Sequence, residues 1–200
     1  MDKVELHNNL IKLETQELDI LQRIRQHKVD NAIEYFNRPN PPQAELLNAW
    51  LDKSYKVFTF TGANRTGKTT IGAVLSLATM IGEFPWNKTS LSFLFNHKRP
   101  RKIRYIGQDW EKHIGQTVIP TIKDWWPKNR PLVTRKNNVG VESLWFDEIS
   151  GSTLEIMSNK QESELHEGWS GDLIVYDEPP KRDIRVANAR GLVDRGGREL

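Results

Sequence analysis

The sequence has no cysteine, which excludes disulfides and thiolate metal sites and fits a reducing compartment. It lacks any apolar run approaching the roughly 20 residues that a membrane-spanning helix needs. It lacks a basic start followed by an apolar stretch, so no secretory leader is expected. A strong excess of one charge is also missing: the net charge is +3 over 200 residues, too small to announce nucleic-acid binding by itself. Glycine and proline are absent from residues 1–36, so nothing there punctuates a helix. What remains is a polar, globular composition, 37% apolar and 28% charged, long enough for one sizeable domain with a real core.

Charge is uneven along the chain. Residues 51–100 carry seven Lys or Arg against two Asp or Glu, and residues 101–150 carry nine against six. The two flanking quarters are net acidic. The basic middle contains "HKRPRKIR", His97 to Arg104, either a solvated loop or a surface for phosphates.

In residues 1–36, Val4, Ile11 and Leu18, with Leu6, Leu10, Leu13, Leu21 and Ile24, recur at helical spacing between charges. One or two helices are predicted, packed on the domain or projecting from it. "NRPNPPQ" must break them, because its prolines cannot continue a helix. A short helix from about Gln43 to Leu51 follows, then a strand over "KVFTFTG", Lys56 to Gly62. A helix is predicted from Lys68 to about Ile81, ended by "GEFPW", and a strand over Arg101 to Gly107. Trp110 to Trp126 reads as a helix interrupted near Pro120, and Glu142 to Asn159 as two strands around a turn at Ser150–Ser152. "LIVY" is an unalternating apolar run, as in a strand buried on both faces of a parallel sheet. Strands alternating with helices give an α/β class with a mostly parallel sheet flanked by helices.

The loop "GANRTGKT" matches G-x-x-x-x-G-K-[ST] between that first strand and helix. Gly62 and Gly67 let the backbone turn so that the amides of Ala63, Asn64, Arg65, Thr66 and their neighbours face one concavity. The helix that begins at Lys68, Thr69 and Thr70 adds its positive end. Lys68 is placed to reach β- and γ-phosphates, and the Thr69 hydroxyl to ligate Mg²⁺. An apolar strand ending in an acid should complete such a site. "LIVYDE" supplies Asp177 for the metal shell and Glu178 as the base that polarises water. The expectation is an ATP site with Mg²⁺ that hydrolyses its nucleotide. The interval of 109 positions from Lys68 to Asp177 leaves room for strands inserted in the sheet, and a strand inserted between the two nucleotide-binding strands is the arrangement of motor-type ATPases.

Other readings stay open. Gln43, 19 residues before Gly62, offers an amide that reads adenine or caps its helix. Arg65 touches the γ-phosphate or points to solvent. Arg101, Arg104, Arg182, Arg185, Arg190, Arg195 and Arg198 are each more simply surface arginines than a transition-state finger. Trp125, Trp126 and Trp145 read as packing residues. His113 and His166 have no partner at ligand spacing, so zinc is not expected.

With these residues in place, the chain from about Pro39 to Leu200 resembles the ATPase domain of the large terminase subunit of tailed bacteriophages. "PPQAELLNAW" resembles the adenine-sensing segment of that family, "GANRTGKTT" its phosphate loop, and "GWSGDLIVYDEPP" its acidic strand. "NARGLVDRGGREL" is similar to the stretch leading into a strand and the motif that couples hydrolysis to DNA movement. The resemblance implies a RecA-like P-loop fold over residues 37–200 behind a helical segment 1–36. It implies ATP hydrolysis driving double-stranded DNA into a procapsid, in a ring of copies on the portal, with a small terminase subunit as partner and the host cytoplasm as location. It also implies that the coupling motif and a nuclease domain would follow Leu200. One position departs from the family: Glu167 stands where many relatives carry an arginine finger before the glycine matching Gly168, so Arg190 is expected to serve instead. A helicase-like DNA-dependent ATPase and a nucleotide-binding module with little turnover are the alternatives.

Overall fold

The computed structural model describes residues 3–63, 65–98 and 100–200. Helix α1, Lys3–Asp30, runs unbroken, as a segment without Gly or Pro allows. Of the expected stripe, the side chains of Val4, Leu6 and Leu10 lie outside the described set, as does Arg99 of the basic run. A 3-10 turn, Ala32–Tyr35, leads to helix α2, Pro41–Trp50. This helix starts two residues earlier than predicted, because Pro41 and Pro42 occupy its first turn, where the missing amides cost nothing. Its cap is reciprocal: Asn40 Oδ1 accepts from the Gln43 amide, and Gln43 Oε1 accepts from the Asn40 amide.

Helix α3, Lys68–Ile81, is apolar and buried along most of its length. Gly82, left-handed at φ 90°, ends it. A small hairpin follows, β1 (Glu83–Phe84) with β2 (Thr89–Ser90). The main sheet comprises β3 (Lys102–Gly107), β4 (Leu132–Lys136), β5 (Glu142–Asp147), β6 (Thr153–Ser158), β7 (Leu173–Tyr176) and β8 (Arg198–Glu199). Their order is β4-β5-β6-β3-β7-β8. β6, β3, β7 and β8 are parallel, while β4 and β5 extend the sheet antiparallel. The expected hairpin around Ser150–Ser152 is β5–β6; β4 was not predicted from sequence, being a mostly exposed, charged edge strand.

Alternation along the parallel strands sends side chains to two cores. Ile103, Tyr105, Leu154, Ile156, Leu173 and Val175 join α3 on one face. Ile106, Met157 and Ile174 meet Ile184 and Leu192 of helix α5, Arg182–Val193, on the other. Each fully buried aliphatic chain contributes about 1.5–3 kcal/mol. Trp126 and Trp145 are buried in the first core, as read from the sequence.

Two expectations are corrected. Residues 56–62 do not form a regular strand. Val57 makes one parallel bridge to Glu199, through Phe58 N–H to Glu199 O (2.9 Å) and Glu199 N–H to Lys56 O (2.9 Å). β8 has two residues and so offers a ladder to this short stretch only. The segment Trp110–Trp126 is not interrupted at Pro120. A π-helical stretch, Trp110–Val118, passes directly into helix α4, Ile119–Trp125, and the change of winding falls beside Pro120, which has no amide to donate. No helix among the described residues is long and apolar enough to cross a membrane.

Candidate functional site

The glycine-rich loop turns from the Val57 segment into α3. Gly67 caps that helix with φ +82°, and a Cβ there would lie 2.5 Å from Gln43 Nε2. Glycine is therefore favoured by conformation, and a Cβ would also displace the Gln43 amide from its bond to the loop. Gln43 is buried, and its amide donates to Gly67 O (3.1 Å) while accepting from Asn40. Asn40 Nδ2 donates to Thr66 O (3.0 Å). The N-terminus of α2 thus clamps the loop at two carbonyls. Gln43 does the capping work that one reading gave it, and adds a hold on the loop that neither reading contained. Thr66 Oγ1 donates to Ala63 O (2.8 Å), and Lys68 Nζ donates to Gly62 O (2.8 Å) and Ala63 O (3.1 Å). The lysine bridges the mouth of its own loop. Arg65 is exposed at φ 66°, and Asn64 lies outside the described residues.

β7 delivers Asp177 to the start of α3. Asp177 Oδ2 accepts from Thr69 Oγ1 (2.9 Å), and Oδ1 accepts from Tyr105 OH (2.7 Å). His113 Nε2 lies 2.8 Å from Oδ2. Gln108 N–H donates to His113 Nδ1 (3.0 Å), which assigns the proton to Nε2 and makes His113 the donor to Asp177. Burial opposes the charge on Asp177, yet the hydrogen bonds from His113, Tyr105 and Thr69 outweigh it and hold the carboxyl below its usual range. The same contact raises the pKa of His113, against the effect of burial. Burial first, and the adjacent carboxylate second, push Tyr105 well above an ordinary phenol, so it remains a donor.

Beside this cluster opens a cleft of about 550 Å³, lined among others by Phe58, Phe60, Lys68, Tyr176, Glu178 and Arg185. It sits at the carboxyl ends of parallel strands, where open α/β sheets hold ligands. Glu178 is exposed into it. Asn159 holds the following turn, donating to Pro179 O (3.2 Å) and accepting from Lys181 N–H (3.0 Å). Between the Val57 segment and β7 lies β8, one interposed strand. That strand comes from beyond Asp177 in the chain, not from the long interval before it.

The comparisons with known proteins bear on this geometry. A solved structure of the large terminase from a thermophilic bacteriophage superposes with a TM-score of 0.54 at 16% identity. The match covers 82% of this chain and 38% of that one. This chain shares the fold of that matched region. No family model and no curated sequence matches it. The chain therefore spans about two fifths of the terminase it resembles.

The structure places Lys68, Asp177 and Glu178 around one cleft and Thr69 against Asp177. Arg190 it leaves apart: exposed on α5, 3.5 Å from Glu167. Arg101, Arg104 and Arg198 are not surface arginines at all, being at most 2% exposed. Arg185, by contrast, reaches the cleft and pairs with Glu199 at 2.7 Å. Sequence reasoning missed Asn40, Tyr105, His113 and Asn159. His113 is 64 positions from Asp177, so no local spacing could have joined them; only the pairing of β3 with β7 does.

Proposed function

We propose that this chain is the ATP-hydrolysing domain of a viral DNA-packaging motor. One observation carries the reading: the Thr69 hydroxyl and the Asp177 carboxylate meet at 2.9 Å, where a glycine-rich loop opens a helix beside a parallel strand. Two oxygen donors, one held ionised, suit a hard divalent cation. Thr69 and Asp177 would hold Mg²⁺, which when bound neutralises phosphate charge. The loop amides from Gly62 to Thr69, Asn64 and Thr70 included, would cradle the phosphates, and Lys68 would leave the Gly62 and Ala63 carbonyls for the γ-phosphate. Glu178, free in the cleft, would accept the proton of the attacking water. Gln43 Oε1 and Nε2 each make one of the two bonds they can, so one lone pair and one N–H would remain for adenine.

The interposed β8 matches the strand arrangement of RecA-like motor ATPases, and the fold shared with the bacteriophage terminase supports packaging over other motors. Double-stranded DNA, a ring of copies, a small subunit and Arg190 acting in trans belong to the same proposal. The test is Mg²⁺–ATP binding and turnover by this chain, with and without duplex DNA, beside Lys68→Ala and Glu178→Gln. Lys68→Ala is expected to lose binding at least 100-fold, and Glu178→Gln to keep binding but lose turnover. Binding without turnover in the wild type would favour a nucleotide-binding module. Unchanged binding in Lys68→Ala would overturn the site itself.

A further inference from the structure

Helix α1 is about 42 Å long, from its 28 residues. Every described side chain from His7 to Val29 is exposed. At its end it meets the rest of the chain through His27 Nδ1 and Tyr35 OH (2.9 Å) and through Asp30 O, which accepts from Lys128 N–H (2.7 Å). Yet Leu13, Leu18, Ile20, Leu21 and Ile24 are 46–63% exposed and fall within half of the helix circumference. A stripe of that width is built to be covered.

Its charges identify what covers it. Around Leu21 the sequence is ordered symmetrically in position and oppositely in sign. Glu17 and Arg25 stand four residues either side, Glu14 and Lys28 seven, and Leu18 and Ile24 three. Residues three, four and seven apart share one helix face, so these four charges lie within the apolar stripe. Among the described residues, Glu14, Glu17 and Arg25 have no ion pair, whereas Asp19 and Arg23, on the opposite side, bridge each other at 2.9 Å.

We infer that α1 pairs antiparallel with α1 of a second copy of this chain, about a twofold axis beside Leu21. That register sets Glu14 against Lys28 and Glu17 against Arg25, each twice. It also sets Leu18 against Ile24, and Leu21 against its counterpart. A parallel pair would set like charge on like along the same stripe, which is destabilising and selects against it. The interface is isologous, as closed dimers require. It is independent of the nucleotide site.

The chain's lack of cysteine makes single-cysteine variants clean reporters. Under mild oxidation, Leu21→Cys is expected to cross-link to itself. Glu14→Cys and Lys28→Cys should each fail alone and cross-link when mixed. In sedimentation, the 200-residue chain should dimerise at tens of micromolar. Glu14→Lys/Glu17→Lys and Arg25→Glu/Lys28→Glu should each weaken self-association at least tenfold, and an equimolar mixture should restore it. These positions are exposed, so folding is not at risk. A wild-type monomer at 100 μM, leaving the helix to another protein or to a nucleic acid, would overturn the inference. So would self-cross-linking of Glu14→Cys as efficient as that of Leu21→Cys.

Discussion

At the scale of the residue, the site turns on how many donors converge on Asp177. Thr69, Tyr105 and His113 all give to one carboxylate. If Thr69 turns to a cation, it gives up its donation, while His113 and Tyr105 can keep theirs. Partners behind a metal ligand typically affect metal affinity 10–100-fold. His113→Ala is therefore expected to weaken Mg²⁺-supported nucleotide binding by at least tenfold while leaving Mg²⁺-free binding unchanged, measured by calorimetric titration. His113→Gln, which can still donate, should recover part of the loss. An equal fall with and without Mg²⁺ would mean that His113 only supports the fold. His166 gives a second test, of stability. It is buried near Asn188, and burial first, then the Arg104 charge, push its pKa below 6.5. The folded state thus binds this proton more weakly than the unfolded chain. The stability His166 contributes is complete above about pH 6.5 and is lost as the pH falls below that value, towards its depressed pKa. Between pH 7 and pH 5, the wild-type melting temperature should drop further than that of His166→Gln; parallel curves would refute this.

At the scale of the element, Arg104 joins three of them. From β3 it bonds Glu155 of β6 (2.7 Å), His166 O (2.9 Å) and Asn188 of α5 (2.8 Å), and its guanidinium lies over Trp169. Arg104→Ala strips several buried acceptors at once and is expected to cost about 3 kcal/mol in denaturant unfolding. The docking of α5 depends also on Gly191, which is buried and approaches Trp169 so closely that a Cβ would stand 2.2 Å from its carbonyl oxygen. Helix propensity alone would make Gly191→Ala stabilising by about 1 kcal/mol. The clash is with backbone and should reverse the sign, lowering the urea midpoint; a raised midpoint would show that α5 can shift freely. Neither contact was legible in the sequence. α5 itself is a polar stretch of arginines whose apolar positions acquire meaning only against β7 and the Trp169 loop.

At the scale of the whole molecule, α1 contributes little to the globular body, because its described side chains from His7 to Val29 are exposed. Deleting residues 1–25 is expected to leave the melting temperature within about 2 °C, corresponding to at most about 1 kcal/mol. The same deletion should abolish self-association. A large fall in melting temperature would mean that α1 folds back on the domain in solution.

The sequence by itself determined the elements whose signals are local. These are the glycine-rich loop with its lysine and threonine, the apolar strand leading to Asp177 and Glu178, the α3 period and the helical character of α1. A turn, a cap and a period of 3.6 or 2 residues are short-range physics, and a few neighbours suffice to specify them. Tertiary structure alone decided which strand lies between the loop segment and β7, and that residues 59–61 join no ladder. It also decided that Arg101, Arg104 and Arg198 are buried, and that Tyr105 and His113 stand on Asp177. Each of those depends on which surfaces become neighbours once the sheet is ordered. Sheet order is settled by packing between segments tens of residues apart, where sequence spacing carries no distance.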